Sequence, residues 1–337
     1  DLRRTHLDPA QIHRIIGAAG LAAMLATTAC TTDPNTGQQR VSKAAIGGIG
    51  GALGGYLLGD LVGGRRDRTE KILGAGIGAA GSGFRPIISP GMMTFAFTAM
   101  DQIVNQMAKI HYMFGGQAPF PLVFRASTGG GRSAAAQHSQ SPHPMFMNLA
   151  GLKLIMPSTP YDAKGLMKSA IRDNNPVVFF EDQILAASPT KQEIPDEEYT
   201  VPIGVADVKR QGRDVTVIAI SKMVSQALAA AEELAGQGID VEVVDPRTLV
   251  PMDVPALRAS VQKTGRVVIV DEACLTCSAA AEISALITED PATFRALKAP
   301  PKRVCSPDVP IPYSPIMEQF CLPDKDNVIQ GIREVLG

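Results

Sequence analysis

From Pro86 to the end of the chain, short continuous apolar runs alternate with amphipathic segments, and this alternation leaves few folds open. LKLIM (Leu152–Met156) and PVVFFE (Pro176–Glu181) are strand-length runs, apolar on both faces. Between them Ala163, Leu166, Met167, Ala170 and Ile171 fall at i, i+3, i+4, i+7 and i+8, the stripe of a helix laid on a core. Pro160 suits the first turn of that helix, and Asn174-Asn175-Pro176 ends it. A strand, a helix and a second strand, with the strands apolar throughout, predict a parallel sheet covered on both faces.

The same logic extends in both directions. MTFAF (Met93–Phe97) and PLVFR (Pro121–Arg125) are β-rich runs flanking a helical segment, MDQIVNQMAKI. A Pro-, Glu- and Lys-rich linker over 187–212 separates this part from a second one. There VTVIAI, IDVEVV and VVIV alternate with helices over Val224–Gly236, Val254–Lys263 and Ala279–Thr288. Right-handed crossovers turn such a βαβαβα run into a small open parallel sheet. The predicted architecture is two α/β domains, at 74–186 and 213–337, behind an atypical arm at 1–73.

That arm follows a different logic. Arg14 precedes the apolar run IIGAAGLAAMLA, which ends at TTAC with Cys30, the layout of a secretory signal with a lipid-bearing cysteine. Beyond a polar spacer, glycines at 47, 51, 55, 59 and 63 share one helical stripe, a spacing that permits close backbone approach between helices in a membrane. Asp60 inside that stretch is costly in a bilayer. The arm resembles glycine-zipper outer-membrane lipoproteins, and a Gly/Ala-rich disordered tail is the alternative, because glycine weakens an isolated helix. A first residue of Asp1 suggests an incomplete or spliced product.

Charge narrows the partners. With 32 basic and 33 acidic residues, no polyanion or nucleic-acid surface is implied. Five cysteines, an odd number at irregular spacing, argue against a disulfide framework. The lone C-x-x-C at Cys274 and Cys277 lacks the second ligand pair a zinc site needs, so free thiols are expected. The body reads as cytoplasmic, or membrane-anchored if Cys30 carries lipid.

The segment GGGRSAAAQHSQS around His138, the run GLKLIMPSTPYDAKGLMKSAIRDNNPVVFFE and DPRTLVPMD (Asp245–Asp253) together resemble the beta subunits of the thiamine diphosphate-dependent 2-oxo acid dehydrogenases. This group contains the pyruvate, branched-chain and acetoin enzymes, and it is transketolase-like in fold. The resemblance implies oxidative decarboxylation of a 2-oxo acid, with the acyl group passed to a lipoyl arm. It also implies an alpha-two beta-two heterotetramer, in which the alpha subunit supplies magnesium and most diphosphate contacts, and a lipoyl-bearing dihydrolipoyl acyltransferase as partner. No GDG-type diphosphate motif occurs here, as expected of a beta subunit.

By the same resemblance His138 matches the histidine facing the reactive end of the cofactor and the incoming lipoyl group, a task that suits an imidazole. Phe97 matches the aromatic packed on the aminopyrimidine, although the sequence gains two residues before Met93 and loses two after Phe97. The family's activating glutamate falls at Thr69 in ungapped alignment. Glu70, one residue and about 100° of helix away, is the candidate in its stead. A structural potassium ion is implied at Leu122, Ala170, Ile171, Asp173 and Asn175, where a helix C-terminus presents unpaired carbonyls. An ordinary helix stop capped by Asn is the alternative. The family's first strands, before the join near Gly74, are expected to be absent, which predicts impaired activity. Arg247 is expected to clamp a carboxylate across the domain or subunit interface, with an exposed, solvated arginine as the alternative. His111 and His143 are expected to be structural or surface residues. A membrane-anchored lipoprotein carrying a degenerate domain, and a chimeric inactive product, stay open as rival readings.

Overall fold

In the computed structural model, which describes residues 30–32, 39–41, 68–117, 119–188 and 192–337, the helix expected between the two apolar runs spans Pro160–Arg172. Thr159 fixes its start, its hydroxyl oxygen accepting the Asp162 N–H, and Pro160 follows in the first turn. It stops at Asp173, where the backbone turns extended. Leu166 and Ala170 are buried against Val123, Ile155, Val177, Phe179 and Val201, with Met167 and Ile171 at the rim of that cluster.

The chain divides into two compact units, one of residues 1–88 and 98–122 and the other of residues 89–97 and 123–337. In the first, strands β1 (Cys30–Thr32) and β2 (Gln39–Val41) pair antiparallel. A glycine-rich helix spans Arg68–Gly81 and buries Leu73, Ile77 and Ala80. Gly76 is required there by space, since a Cβ would lie 2.0 Å from Ile88 Cδ1. The apolar run before Cys30 and the glycine series from 47 to 63 lie outside the described residues. Among the described residues no helix is long and apolar enough to cross a membrane.

The second unit is built on two five-stranded sheets. One has the order β10-β5-β6-β4-β3, from β3 (Ile87–Met92), β4 (Leu122–Thr128), β5 (Lys153–Ile155), β6 (Pro176–Asp182) and β10 (Thr248–Val250). The strands β5 and β6 run parallel with Leu154 opposite Val178, as expected. The other has the order β12-β11-β8-β9-β7, from β7 (Asp207–Arg210), β8 (Val215–Ala219), β9 (Val241–Asp245), β11 (Val267–Cys274) and β12 (Lys302–Ser306). Here β8, β9, β11 and β12 are parallel and only the edge strand β7 is antiparallel. Helices Met223–Ala235 and Lys325–Leu336 cover one core, in which Val217, Ala227, Ala231, Val243, Val270 and Ile332 are buried.

Three expectations need correction. MTFAF is not a strand but the start of a 3-10 helix, Met93–Ala99. Gly91 at φ +88° is the last residue but one of β3, and Met93, Ala96 and Ala99 then bury every third residue, the eclipsed period of that helix. The helical segment after it breaks into a π-turn, Gln102–Met107, and one short α-turn, Ile110–Met113. The presumed linker contains β7, recruited to pair with β9.

DPRTLVPMD turns out to be a tie between the sheets. The strand β9 ends at Asp245, the chain reverses at Arg247 with φ +57°, and β10 then joins the edge of the other sheet beside β5. Arg247 Nη2 lies 2.8 Å from both Asp162 Oδ1 and Asp207 Oδ2, and Lys209 Nζ lies 2.7 Å from Asp207 Oδ2 and 2.5 Å from Asp162 Oδ2. Asp245 is enclosed beside them. Burial pushes its carboxyl up to about 6, against the lowering by the Ser158 hydroxyl 2.5 Å away and by Lys209.

Candidate active site

Three consecutive glycines, Gly129–Gly131, carry the chain from the end of β4 into the segment that bears His138. Gly129 is at φ +92°, and a Cβ on it would lie 2.4 Å from Asp182 Oδ2 and 2.9 Å from Glu272 Oε1. The run is glycine because backbone must come this close to carboxylates. Its N–H groups then become donors to them. Gly130 N donates to Glu272 Oε1 at 2.6 Å, Gly131 N to Glu318 Oε1 at 2.8 Å, and Ser133 N to Glu318 Oε2 at 2.7 Å. Hydrogen bonds to ionised acceptors are roughly twice as strong as neutral ones.

Other groups close the loop from beneath. Gln183 Nε2 donates to the carbonyl of Gly129, and lies 3.4 Å from the His138 carbonyl. Gly129 N donates to Gln140 O at 2.9 Å, Lys222 Nζ to Gly130 O at 3.2 Å, and Ser141 Oγ to Glu272 Oε1 at 3.1 Å. Between these anchors Ser133 and Ala135 sit at φ +51° and +60°, conformations that cost of order 1–3 kcal/mol for a residue with a Cβ and persist only where the surroundings impose them.

Charge beneath the loop is concentrated and paired. Lys222 forms an ion pair with Glu272 and lies 3.7 Å from Asp182. Desolvation pushes the Asp182 carboxyl up to about 6, with Lys222 opposing and Glu272 adding to the rise. Burial alone lowers the Lys222 pKa, but the two carboxylates outweigh it and the ammonium is held above its ordinary value. His143 is fully buried, its Nε2 2.9 Å from Asp271 Oδ1, so it is not a surface residue.

His138 lies at the end of a short 3-10 turn, Ala136–His138, and is half-buried. Its Nδ1 is 3.4 Å from Thr94 Oγ1, and its ring faces that of Phe95 with centroids 5.5 Å apart at 58°. Phe95 is 47% exposed. The structure therefore sets Phe95 beside the histidine, while Phe97 is half-buried two residues on in the same 3-10 helix. A partly exposed aromatic ring next to an imidazole suits one end of a flat, nitrogenous ring cofactor. Glu70 and Thr69 fall in the first turn of the helix Arg68–Gly81, Thr69 half-buried and the Glu70 side chain outside the described residues.

At the expected ion site, Leu122 opens β4 and is buried, and Ala170 and Ile171 lie in the last turn of the helix that Asp173 caps. The Asp173 carboxylate is already engaged. Oδ2 pairs with Lys153, and Oδ1 accepts from Asn175 N at 2.8 Å and Asn175 Nδ2 at 3.0 Å. Burial raises its pKa, but these donors outweigh burial and hold it below the ordinary carboxylate value. Cys274 and Cys277 are free and exposed, and burial raises the Cys274 thiol.

Sequence reading alone did not single out Thr94, Phe95, Gln183, Lys222, Glu272 or Glu318. For the last two the available signal was indirect: a triple glycine announces that something approaches the backbone closely, without saying what.

Residues 69–188 match the family described as transketolase, pyrimidine binding domain, and residues 204–328 match transketolase, C-terminal domain. Residues 12–85 match the YMGG-like Gly-zipper, so residues 69–81 of the helix Arg68–Gly81 fall within both matches. The acetoin:2,6-dichlorophenolindophenol oxidoreductase subunit beta of Bacillus subtilis is 46% identical over 265 residues, covering 79% of this chain and 76% of that one. The 2-oxoisovalerate dehydrogenase subunit beta of the same organism is 45% identical over 267 residues, covering 79% and 81%. The human mitochondrial pyruvate dehydrogenase E1 component subunit beta is 41% identical over 266 residues, covering 78% and 74%. Among solved structures, a split-gene transketolase described as an inactive beta4 tetramer superposes with a TM-score of 0.65 at 22% identity, over 79% of this chain and 80% of that one, a likeness of fold. By sequence, this chain belongs to the family of beta subunits of the thiamine diphosphate-dependent 2-oxo acid dehydrogenases.

Proposed function

We propose that this chain forms the first component of a 2-oxo acid dehydrogenase complex with an alpha subunit, decarboxylating a 2-oxo acid and passing the acyl group to a lipoyl arm on an acyltransferase. The observation that carries this reading is the half-buried His138 beside the partly exposed ring of Phe95, on a loop clasped by Glu272, Glu318 and Gln183. Thiamine diphosphate, when bound, supplies the electron sink for decarboxylation. Phe95 and Phe97 are the aromatic residues for its aminopyrimidine side, and magnesium with the diphosphate contacts falls to the alpha subunit. With Nδ1 turned to Thr94, His138 has Nε2 to exchange a proton with the incoming lipoyl group.

The surface supports a partner subunit. Tyr313, Ile316, Met317 and Phe320 are 72, 80, 57 and 89% exposed within one short segment around the helix Pro315–Cys321, an apolar patch of the kind that marks an interaction site. Co-expression with an alpha subunit of this family is expected to yield an alpha-two beta-two heterotetramer by mass, with 2-oxo acid decarboxylation. Phe320→Asp, which desolvates a charge if the patch is covered, is expected to leave mostly free subunits. A chain that stays alone with every such alpha subunit would overturn the reading.

We further propose the potassium ion, held by main-chain oxygens of Ala170, Ile171, Asp173 and Asn175. The helix C-terminus there offers carbonyls and partial negative charge. Ligand binding to the native state alone stabilises it, so the melting temperature is expected to be higher in potassium chloride than in equal lithium chloride. Equal values would leave Asp173 a helix cap and nothing more.

A further inference from the structure

We propose that Glu318 is a positioning residue for His138, a carboxylate reaching from the C-terminal domain to hold the histidine loop in its reactive shape. The inference rests on reading His138 as the active-site histidine, and extends it to a residue 180 positions away in the sequence with no motif of its own. Glu318 is 2% exposed, on the inner side of the helix Pro315–Cys321. Four donors converge on it: Gly131 N at 2.8 Å, Ser133 N at 2.7 Å, Ser133 Oγ at 3.2 Å and Ser139 Oγ at 3.5 Å. All four belong to the loop, and they flank His138 on both sides, Ser139 being its immediate neighbour. No cation in the described structure pairs with this carboxylate, so its compensation comes from the loop itself.

The strain in the loop gives Glu318 something to hold. Ser133 and Ala135 stay at positive φ, and the N–H of Ser133 is the donor that Glu318 fixes. Downstream of these two residues the chain passes directly into the 3-10 turn that ends at His138. Releasing Ser133 lets the backbone relax toward ordinary φ, and a rotation there swings the imidazole away from Thr94 and Phe95. Glu272 holds the neck of the loop through Gly130 and Ser141, but is itself neutralised by Lys222. Among the described residues, Glu318 is the side chain that grips the strained part.

The test uses the co-expressed heterotetramer with Glu318→Gln. The substitution keeps the shape but replaces one acceptor oxygen by a donor, so at least one of the Gly131 and Ser133 N–H groups faces an N–H. Amide exchange in a peptide covering 129–139 is expected to speed up at least tenfold, with exchange in the β8–β9–β11 core unchanged. The ratio of acyl transfer to a free lipoyl domain over dye-linked decarboxylation is expected to fall at least tenfold, because His138 acts on the lipoyl side. Glu318→Asp, which keeps the charge on a shorter stem, is expected to recover part of both losses, and serves as the working variant if Glu318→Gln does not assemble. Unchanged exchange in 129–139, or two activities that fall in step, would overturn the role of Glu318. A wild-type tetramer without acyl transfer would instead overturn the function of His138, and the exchange measurement would still decide whether Glu318 holds the loop.

Discussion

Replacing His138 with alanine is expected to slow acyl transfer to a lipoyl domain by about a hundredfold to ten-thousandfold, the range typical of a positioned general acid or base. The imidazole is half-buried and touches Thr94 only at 3.4 Å, so its loss removes little packing, and the melting temperature is expected to move by no more than a few degrees. Single-turnover acylation of a lipoyl domain by the co-expressed tetramer separates this from an assembly defect. His138→Ala with wild-type transfer rates would move the catalytic role elsewhere, and the buried His143 could not take it up, being committed to Asp271.

The second large effect concerns activation of the cofactor. By the family resemblance the activating carboxylate is expected at Thr69, whose hydroxyl cannot hold and return a proton in the way a carboxylate does. Thr69 stands four and eight residues before Leu73 and Ile77, and so shares the side of the helix Arg68–Gly81 that those residues bury. Glu70 is turned from it by about 100°. Thr69→Glu is therefore expected to raise decarboxylation by the co-expressed tetramer by about a hundredfold to ten-thousandfold, and Glu70→Gln to change the native rate little. The converse pattern, with Glu70→Gln abolishing activity and Thr69→Glu adding nothing, would show that Glu70 already serves.

Both experiments turn on positions that the family resemblance implies, whereas local pattern carried a good deal of the fold. The helix Pro160–Arg172 was legible because its period, its Thr159 cap, its first-turn proline and its Asn-Asn-Pro stop all act within a few residues. The parallel strands β5, β6, β8, β9 and β11 were legible because strands covered on both faces are apolar throughout. His138 stood out through the motif around it, and Arg247 clamps carboxylates as expected, on Asp162 and Asp207.

Pattern failed where the deciding contact was remote or the local signal was shared by two structures. MTFAF has the composition of a strand, yet burial at every third residue selected a 3-10 helix and brought Thr94 and Phe95, rather than Phe97, to the histidine. The three residues of β10 were too few to announce a strand, and only pairing with β5 made them one.

The sequence by itself determined the alternating α/β order, the helix ends and the glycine run ahead of His138, because these follow from backbone preference and the period of apolar residues. Only the tertiary structure decided which side chains meet that run. Glu272 and Glu318 are 142 and 187 residues from the glycines they bind. A carboxylate that far along the chain is an ordinary charged residue until folding buries it. There it must find donors, and the backbone N–H groups of the histidine loop provide them.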